Sequence, residues 1–510
     1  VSADVNDGSV TALETFLARF RDSVRSVTGS RIDLEQMSLR RGVPPFALRE
    51  MLSTDPLSVF IPAEHGGPGF PASAGLAAME VAAYEHLPLS LLLAINGLLF
   101  LQPVARYARP EVQGPIFQRF LRDRHLAGLM LTEPGHGSDV LNMQTGYTVN
   151  ADGSYHLTGT KHWAGLTGWA DLWLLTARRR DADGTPTGAP DFFICDANRS
   201  GQRVVVEEYF ENLGLYMIPY GRNRIDVVVP PENRLERETS GMRMLLDMLH
   251  RSRLHFSGMA AGFVRRILDE ALEHCRERHV GGASLLSYDQ VKHRVARLEA
   301  AVTACNAMCL HASRTAGVEH DLSRDGLLPN SIKTVCTDMM QESAQSLLQL
   351  VGAKGYRLDH FAGRAVVDSR PYQIFEGSND ILYEQIGEST ISKMTRAGER
   401  NLLRYLGTNP ATARAADRFH GVLDVDLAID IAQRKAVALG GVVSRVVVME
   451  LTIALGERGF RGDLIDTCLH VLREDVEQRM AIYRVAGHPL PAEDYGTSGW
   501  LSLTRPARKA

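Results

Sequence analysis

One carboxylate is set apart by its neighbours. Glu376 lies in Ile374-Phe375-Glu376-Gly377-Ser378, with an apolar pair before it and a glycine after it. Such neighbours desolvate a carboxylate in part, which disfavours its charged form and suits it to take a proton from carbon near neutral pH. Trp163 offers a broad flat face on which a planar heterocycle can stack. Arg278 offers the planar fork that grips a pyrophosphate through paired hydrogen bonds. Residues 131–139 read Leu-Thr-Glu-Pro-Gly-His-Gly-Ser-Asp, a strand running into a glycine turn that Ser138 or Asp139 can cap. Cys305, Cys309 and His311 have helical spacing, but Ala301, Val302 and Leu310 around them mark a packed helix face. A closed zinc site wants four ligands, so no metal is expected. No Gly-x-Gly-x-x-Gly follows a strand and opens a helix, so any dinucleotide must be held by something other than a Rossmann turn.

These groups have to be placed by four stretches of different texture. Residues 1–124 form an N-terminal helical domain, with apolar residues three and four apart at Leu13, Phe16, Leu17 and Phe20, and again at Ile116, Phe117 and Phe120. Residues 125–238 break into short β-rich runs at 147–149, 155–157, 172–176, 192–195, 204–206 and 225–229, with Asp152-Gly153 as a hairpin turn. That spacing predicts a compact antiparallel barrel or sandwich. Long helical segments at 242–278, 285–317 and 330–351 make residues 239–399 an antiparallel bundle.

Residues 400–510 add a helical extension, with helices expected over 422–455 and 464–483, and end in a polar tail. Val437, Leu439, Val442, Val443, Val446, Val447, Val448 and Leu451 are too dense for a solvated helix and are expected to be buried against the bundle or another subunit. Arg434, Lys435, Arg445, Glu450, Glu457, Arg458 and Arg461 mix charge signs, unlike the single basic face of a membrane-surface helix. The fold class is α+β, mainly α.

The formal charge of -4 lacks the basic footprint of a nucleic-acid binder. Six scattered cysteines form no disulfide framework, and the first residues lack a signal peptide's basic flank and apolar stretch, so a cytoplasmic location is expected. The most apolar run, 87–104, is interrupted by Pro88, Ser90, Asn96, Gly97, Gln102 and Pro103; it reads as a buried helix, and no transmembrane segment is expected. The triplet Arg178-Arg179-Arg180 is either a solvated strand end or a patch for phosphates or an acidic partner.

Four segments, in order and at consistent separations, resemble the acyl-CoA dehydrogenase family. Residues 131–139 are similar to its most recognisable motif, which implies that Leu131, Thr132 and Gly137 contact a flavin ring while Ser138 faces the CoA portion of a substrate. Residues 155–163, Tyr-His-Leu-Thr-Gly-Thr-Lys-His-Trp, resemble the strand that lays a tryptophan, here Trp163, against the flavin. Two residues on, where the family usually has a hydroxyl for flavin N5, stands Gly165, leaving its N–H or Thr167 as the substitute. Arg253, then Arg278-His279-Val280-Gly281-Gly282 and Gln290, look like the pattern in which an arginine and a glutamine reach the FAD of a neighbouring subunit, with Gly281 in place of an aromatic residue. Last come Gln349 to Tyr356, Asp368, and residues 372–381, whose Glu-Gly-Ser is similar to the family's catalytic stretch.

The resemblance implies cofactor contacts from Gln349, Gly352, Ser378 and Asp380, substrate contacts from Arg253 and Gly377, and Glu376 as the base. Some relatives carry the base just before the arginine matching Arg253; that position is Ser252, which leaves the role to Glu376. The implied fold is an N-terminal helical domain, a middle antiparallel β-barrel and a C-terminal four-helix bundle, to which this chain adds its extension. The implied activity is FAD-dependent α,β-dehydrogenation of an acyl-CoA or acyl-carrier-protein thioester. Its oxygen would be held by the Glu376 N–H, the electron acceptor would be an electron-transfer flavoprotein, and the assembly a homodimer or homotetramer. A flavin oxidase or monooxygenase on the same fold, or a non-catalytic homologue, are the alternatives.

Overall fold

The computed structural model describes residues 7–33, 43–236 and 240–485, with isolated positions at 238, 487, 491, 499 and 500; most of the expected polar tail lies outside them. The chain opens with helices α1 (Asp7–Ser30), α2 (Pro45–Met51), α3 (Ser73–Glu85), α4 (Leu87–Asn96), α5 (Gln102–Tyr107) and α6 (Pro110–Leu121). The prolines of the apolar run do not interrupt it: Pro88 stands in the first turn of α4, after extended His86, where a missing N–H costs nothing, while Pro103 follows residues 101 and 102 that are already helical, so the backbone runs on into α5. A π-turn, Gly97–Leu101, joins the two.

Seven strands follow: β1 (Ala127–Met130), β2 (Gly146–Val149), β3 (Tyr155–Gly165), β4 (Leu172–Arg180), β5 (Pro186–Asp196), β6 (Arg203–Tyr209) and β7 (Tyr220–Val229). The pairings β4–β5, β2–β3, β3–β7 and β6–β7 are antiparallel, as expected. The other edge of β4 is shared by β1 and β2, both parallel to it, with Ala127 opposite Leu172 and Gly146 opposite Arg178. These two strands point the same way, so the segment between them cannot be a hairpin. It leaves the sheet and returns as a long loop, 131–145, which carries the Thr-Glu-Pro-Gly sequence. The Asp152-Gly153 turn joins β2 to β3, with Gly153 at φ +84°.

The bundle consists of α7 (Gly241–Glu277), α8 (Asp289–Thr315), α9 (Leu327–Val351), α10 (Phe361–Ser369) and α11 (Asn379–Arg396). Ser240 caps α7 by accepting the Arg243 N–H. The extension contributes α12 (Leu402–Thr408), α13 (Ala413–Ala416), α14 (Gln433–Gly456) and α15 (Gly462–Arg484). The helix expected from residue 422 begins at Gln433; residues 422–432 instead tie back onto α12, with the Leu402 N–H bonded to Val425 O and Asn401 bridged to Asp426.

The apolar face of α14 is buried within this chain, as its density required: Leu439, Val442, Val443, Val446, Val447 and Val448 are each at most 1% exposed. A Cβ on Gly440 would fall 1.8 Å from Tyr383 O on α11, and one on Gly387 2.2 Å from Ala436 O on α14, so glycine permits this contact. Leu87–Tyr107 and Gln433–Gly456 are long and apolar enough to cross a membrane by length and composition, but both are packed inside the protein.

Candidate active site

Glu376 falls in the short connection between the turn Arg370–Gln373 and α11. It has φ +55° and Gly377 has φ +90°, two successive left-handed residues. Glycine takes this conformation freely; for a glutamate it costs about 1 kcal/mol. Two buried cations hold it. From α7, Arg253 donates through Nε and Nη2 to Glu376 O, at 3.0 and 2.7 Å, and through Nη1 to Asn330 Oδ1 at 2.8 Å. From α9, Lys333 Nζ donates to Gly377 O at 2.8 Å and Asn379 Oδ1 at 2.9 Å. The carbonyls of both left-handed residues are therefore fixed from different helices.

The Glu376 side chain meets α7, where Ser252 Oγ donates to Oε1 at 2.9 Å. The other oxygen, Oε2, is buried without a hydrogen-bond partner among the described residues. Burial pushes the carboxyl up to about 7, against the pull of Ser252, Arg253 and Lys333. Burial also pushes Lys333 down to about 7, with Arg253 reinforcing the shift and Glu376 opposing it. A carboxylate with one oxygen anchored and the other unengaged, titrating near neutrality, is equipped to accept a proton from a weak carbon acid.

On the sheet, β3 and β7 lose register between His162 and Ala164, which makes Trp163 a bulge residue at φ +54°. The bulge turns its ring out of the sheet, where it leans on Phe210 at 4.6 Å between centroids and stays 51% exposed. A planar group laid on that ring would take this area out of water, so the position fits a stacking role.

The neighbouring positions are engaged within the fold. A side chain at Gly165 would point to Ile95 Cδ1, 2.7 Å from its Cβ, and toward Tyr220 and Ile218, so the position faces an apolar seam with α4. Thr167 is no substitute donor, because it is fully buried, with its hydroxyl donating to Ala164 O at 2.7 Å and receiving Asn223 Nδ2 at 3.0 Å. Arg253, expected on the substrate, is 5% exposed and occupied beneath the Glu376 segment.

Loop 131–145 is tied down by its own glutamate. Glu133 accepts Lys161 Nζ at 2.8 Å and the Thr145 N–H at 3.0 Å, and also receives the Gln144 N–H. Lys161 is completely buried and donates to Thr176 Oγ1 as well, at 2.9 Å. Leu131 and Thr132 lie half-buried where the loop leaves β1, while Gly137 and Ser138 are exposed at its tip. Arg178 and Arg180 spend their guanidinium groups on loop carbonyls, among them Gly188 O and Gly184 O, and only Arg179 of the triplet is exposed.

The remaining positions are exposed: Arg278 just past α7, Gln290 in the first turn of α8, Gln349 and Gly352 at the end of α9, and Asp380 in the first turn of α11. Ser378, half-buried, is the N-cap position of α11. Gly281 and Gly282, at φ +58° and +84°, form a tight turn between two short strands. Glycine takes that left-handed conformation freely, whereas a bulky side chain at 281 would be strained in it.

The residues missed by sequence reasoning are Asn330, Lys333, Asp338 and Asn379. For the three on α9 the signal was available, since Asn330, Lys333, Thr334, Thr337, Asp338 and Gln341 recur at spacings of three and four, a polar stripe that demands partners once the helix is buried.

Comparison with known proteins bears on the same residues. The chain is 24% identical over 350 residues to an acyl-CoA dehydrogenase of Bacillus subtilis, covering 66% of this chain and 87% of the relative. It is 26% identical over 430 residues to the probable acyl-CoA dehydrogenase FadE10 of Mycobacterium bovis, covering 81% of this chain but only 64% of that protein's length. The crystal structure of an acyl-CoA dehydrogenase complexed with FAD from Bacillus anthracis superposes with a TM-score of 0.74 at 18% identity, over 94% of this chain and 88% of that one. Family models for the acyl-CoA dehydrogenase N-terminal, middle and C-terminal domains match residues 17–123, 128–228 and 239–391. Since the helices and sheet that carry Trp163, Ser252, Arg253 and Glu376 all fall within those matches, the chain belongs to the acyl-CoA dehydrogenase family.

Proposed function

We propose that this protein is an oxidoreductase that removes a proton and a hydride from the α- and β-carbons of an acyl thioester, carried on CoA or on a carrier protein. The observation that carries the reading is Glu376: a strained, clamped residue whose carboxyl is pushed up to about 7 and whose Oε2 has no partner among the described residues. Strain of this kind persists only where the surroundings over-determine it, and it is common at reacting groups. Oε2 takes the α-proton while Ser252 keeps Oε1 in place. The clamp on Glu376 O and Gly377 O fixes the intervening peptide plane, and with it the orientation of the carboxylate toward the substrate. The Glu376 N–H donates to the thioester oxygen, where a preorganised donor is worth roughly 3 kcal/mol as negative charge develops.

Leu131, Thr132 and the exposed face of Trp163 would hold FAD, with Arg278 and Gln290 reaching it from a neighbouring subunit of a homodimer or homotetramer, and the bound flavin would supply the acceptor for the β-hydride. An electron-transfer flavoprotein in the cytoplasm would be the acceptor that reoxidises the enzyme. The test is Glu376→Gln in the FAD-loaded enzyme. Its visible spectrum and acyl-CoA binding should persist while turnover falls about 100-fold or more. Retention of more than about a tenth of the activity would overturn the assignment.

A further inference from the structure

Asp338 on α9 stands between the Glu376 segment and the C-terminal extension. Its Oδ1 accepts Gln373 Nε2 and Asn379 Nδ2, both at 2.8 Å, and these residues flank Glu376 three positions to either side. Its Oδ2 accepts Tyr383 Oη at 2.7 Å, Arg445 Nη2 at 2.6 Å and Arg479 Nη2 at 3.3 Å. Arg445 is on α14 and Arg479 on α15, both beyond the family-matched residues 239–391. Asn379 continues the chain of bonds, since its Oδ1 receives Lys333 Nζ, which also holds Gly377 O.

We propose that the extension is a working part of the active site: Arg445, acting through Asp338, is a positioning residue for the Glu376 segment. The proposal rests on the reading of Glu376 as the base.

The chemistry of one buried carboxylate supports it. Asp338 and Arg445 are 7% and 3% exposed. Without a cation, a carboxylate so buried would take up a proton. Protonated, it would become a donor at one oxygen and lose acceptor capacity that Gln373, Asn379 and Tyr383 now fill. Arg445 therefore keeps Asp338 an acceptor at every site. Burial alone would raise the Asp338 carboxyl, but Arg445, Tyr383 and Arg479 outweigh it and hold it below the ordinary range. Arg445 also donates to Tyr383 Oη, which joins α14 to the helix that Asn379 begins.

The test compares Arg445→Met, Arg445→Lys and Arg479→Met with a control, Arg414→Met. The control breaks the 2.5 Å bridge from Arg414 to Glu450 elsewhere in the extension. In the FAD-loaded protein without substrate, backbone amides of 373–379 in Arg445→Met should exchange hydrogen about tenfold faster, because the tether no longer resists local opening. The acid limb of kcat/KM should move down toward the ordinary carboxylate range as water reaches Glu376, and kcat should fall about tenfold with KM changed less than about twofold.

Arg445→Lys should recover most of both effects. Arg414→Met should lower Tm without altering exchange at 373–379 or the acid limb. Unchanged exchange in Arg445→Met, or equal changes in Arg414→Met, overturns the proposal. Should Arg445→Met not fold, Arg479→Met, whose arginine side chain is 26% exposed, must show the same directions more weakly, and no change there overturns it equally. Exchange does not depend on what Glu376 does chemically. If Glu376→Gln keeps its turnover, the base reading fails while the exchange data still decide the tether.

Discussion

Ser252 Oγ donates to Glu376 Oε1 at 2.9 Å, from the helical position that resemblance identifies as the alternative site of the base. A carboxylate there would oppose ionisation of Glu376. A hydroxyl instead favours the charged form, while Oε2 is left without a partner among the described residues. Ser252→Ala should therefore raise the Glu376 carboxyl further. A hydrogen bond to a charged group is worth about 1.5 kcal/mol or more, so the acid limb of kcat/KM should move up by about one unit. Activity at pH 6 should fall clearly while activity at pH 9 changes little. A limb that stays in place would mean that this bond does not tune the base.

The raised carboxyl also affects stability. Between about 4.5 and about 7 the folded protein holds a proton on Glu376 that the unfolded chain has released, so this group's contribution falls as pH rises through that window. Lys333 acts oppositely: pushed down to about 7, it has lost in the folded state a proton that the unfolded chain keeps up to about 10.5, so its contribution rises with pH above 7. Glu376→Gln should accordingly gain Tm over wild type at pH 8 and little at pH 4.5. Equal gains at both would show that the effect is not ionisation.

Glu376 drew attention through the resemblance of residues 372–381 to the family's catalytic stretch, with an apolar pair and a glycine adjacent in sequence as supporting chemistry. The features that make it function are not adjacent. Arg253, Ser252 and Lys333 come from two other helices, and the left-handed turn depends on their bonds. Resemblance offered Trp163 for a stacking role, but its exposure comes from a register break between β3 and β7 that no local pattern announces. Resemblance alone put Gly165 where the family's hydroxyl residue stands; the packing of α4 puts Ile95 where a side chain at that position would point. Arg445 and Glu450 entered the sequence reading only as charges of mixed sign on the extension, and the structure buries both, against Asp338 and Arg414. Helical period alone could not reveal this, because the partners are distant in sequence.

The ion pair beneath loop 131–145 gives a third expectation. Removing one member of a buried pair strands the other, at a cost of about 3–5 kcal/mol, whereas removing both costs much less. Lys161→Met should destabilise the protein strongly and weaken FAD retention as the loop loosens. Lys161→Met with Glu133→Gln should recover much of the lost stability. A double variant no more stable than the single would show that Lys161 acts by packing alone.

Gly440 tests how rigidly the extension is mounted. Its Cβ would lie 1.8 Å from Tyr383 O, a backbone atom of a packed helix that cannot swing aside. An alanine must therefore push α14 away from α11, separating Arg445 from Asp338 and Tyr383 in the same movement. Overpacking commonly costs about 1–3 kcal/mol, and the loss of the buried polar contacts adds to it. Gly440→Ala should consequently lower Tm by several degrees and reproduce the fall in kcat expected of Arg445→Met. Gly407, in α12 with no neighbour within 4 Å of its would-be Cβ, provides the comparison, since alanine there improves helix propensity and should be neutral or slightly stabilising. If Gly440→Ala kept wild-type Tm and kcat, the two helices would have room to separate, and the extension could not hold the Glu376 segment by its packing.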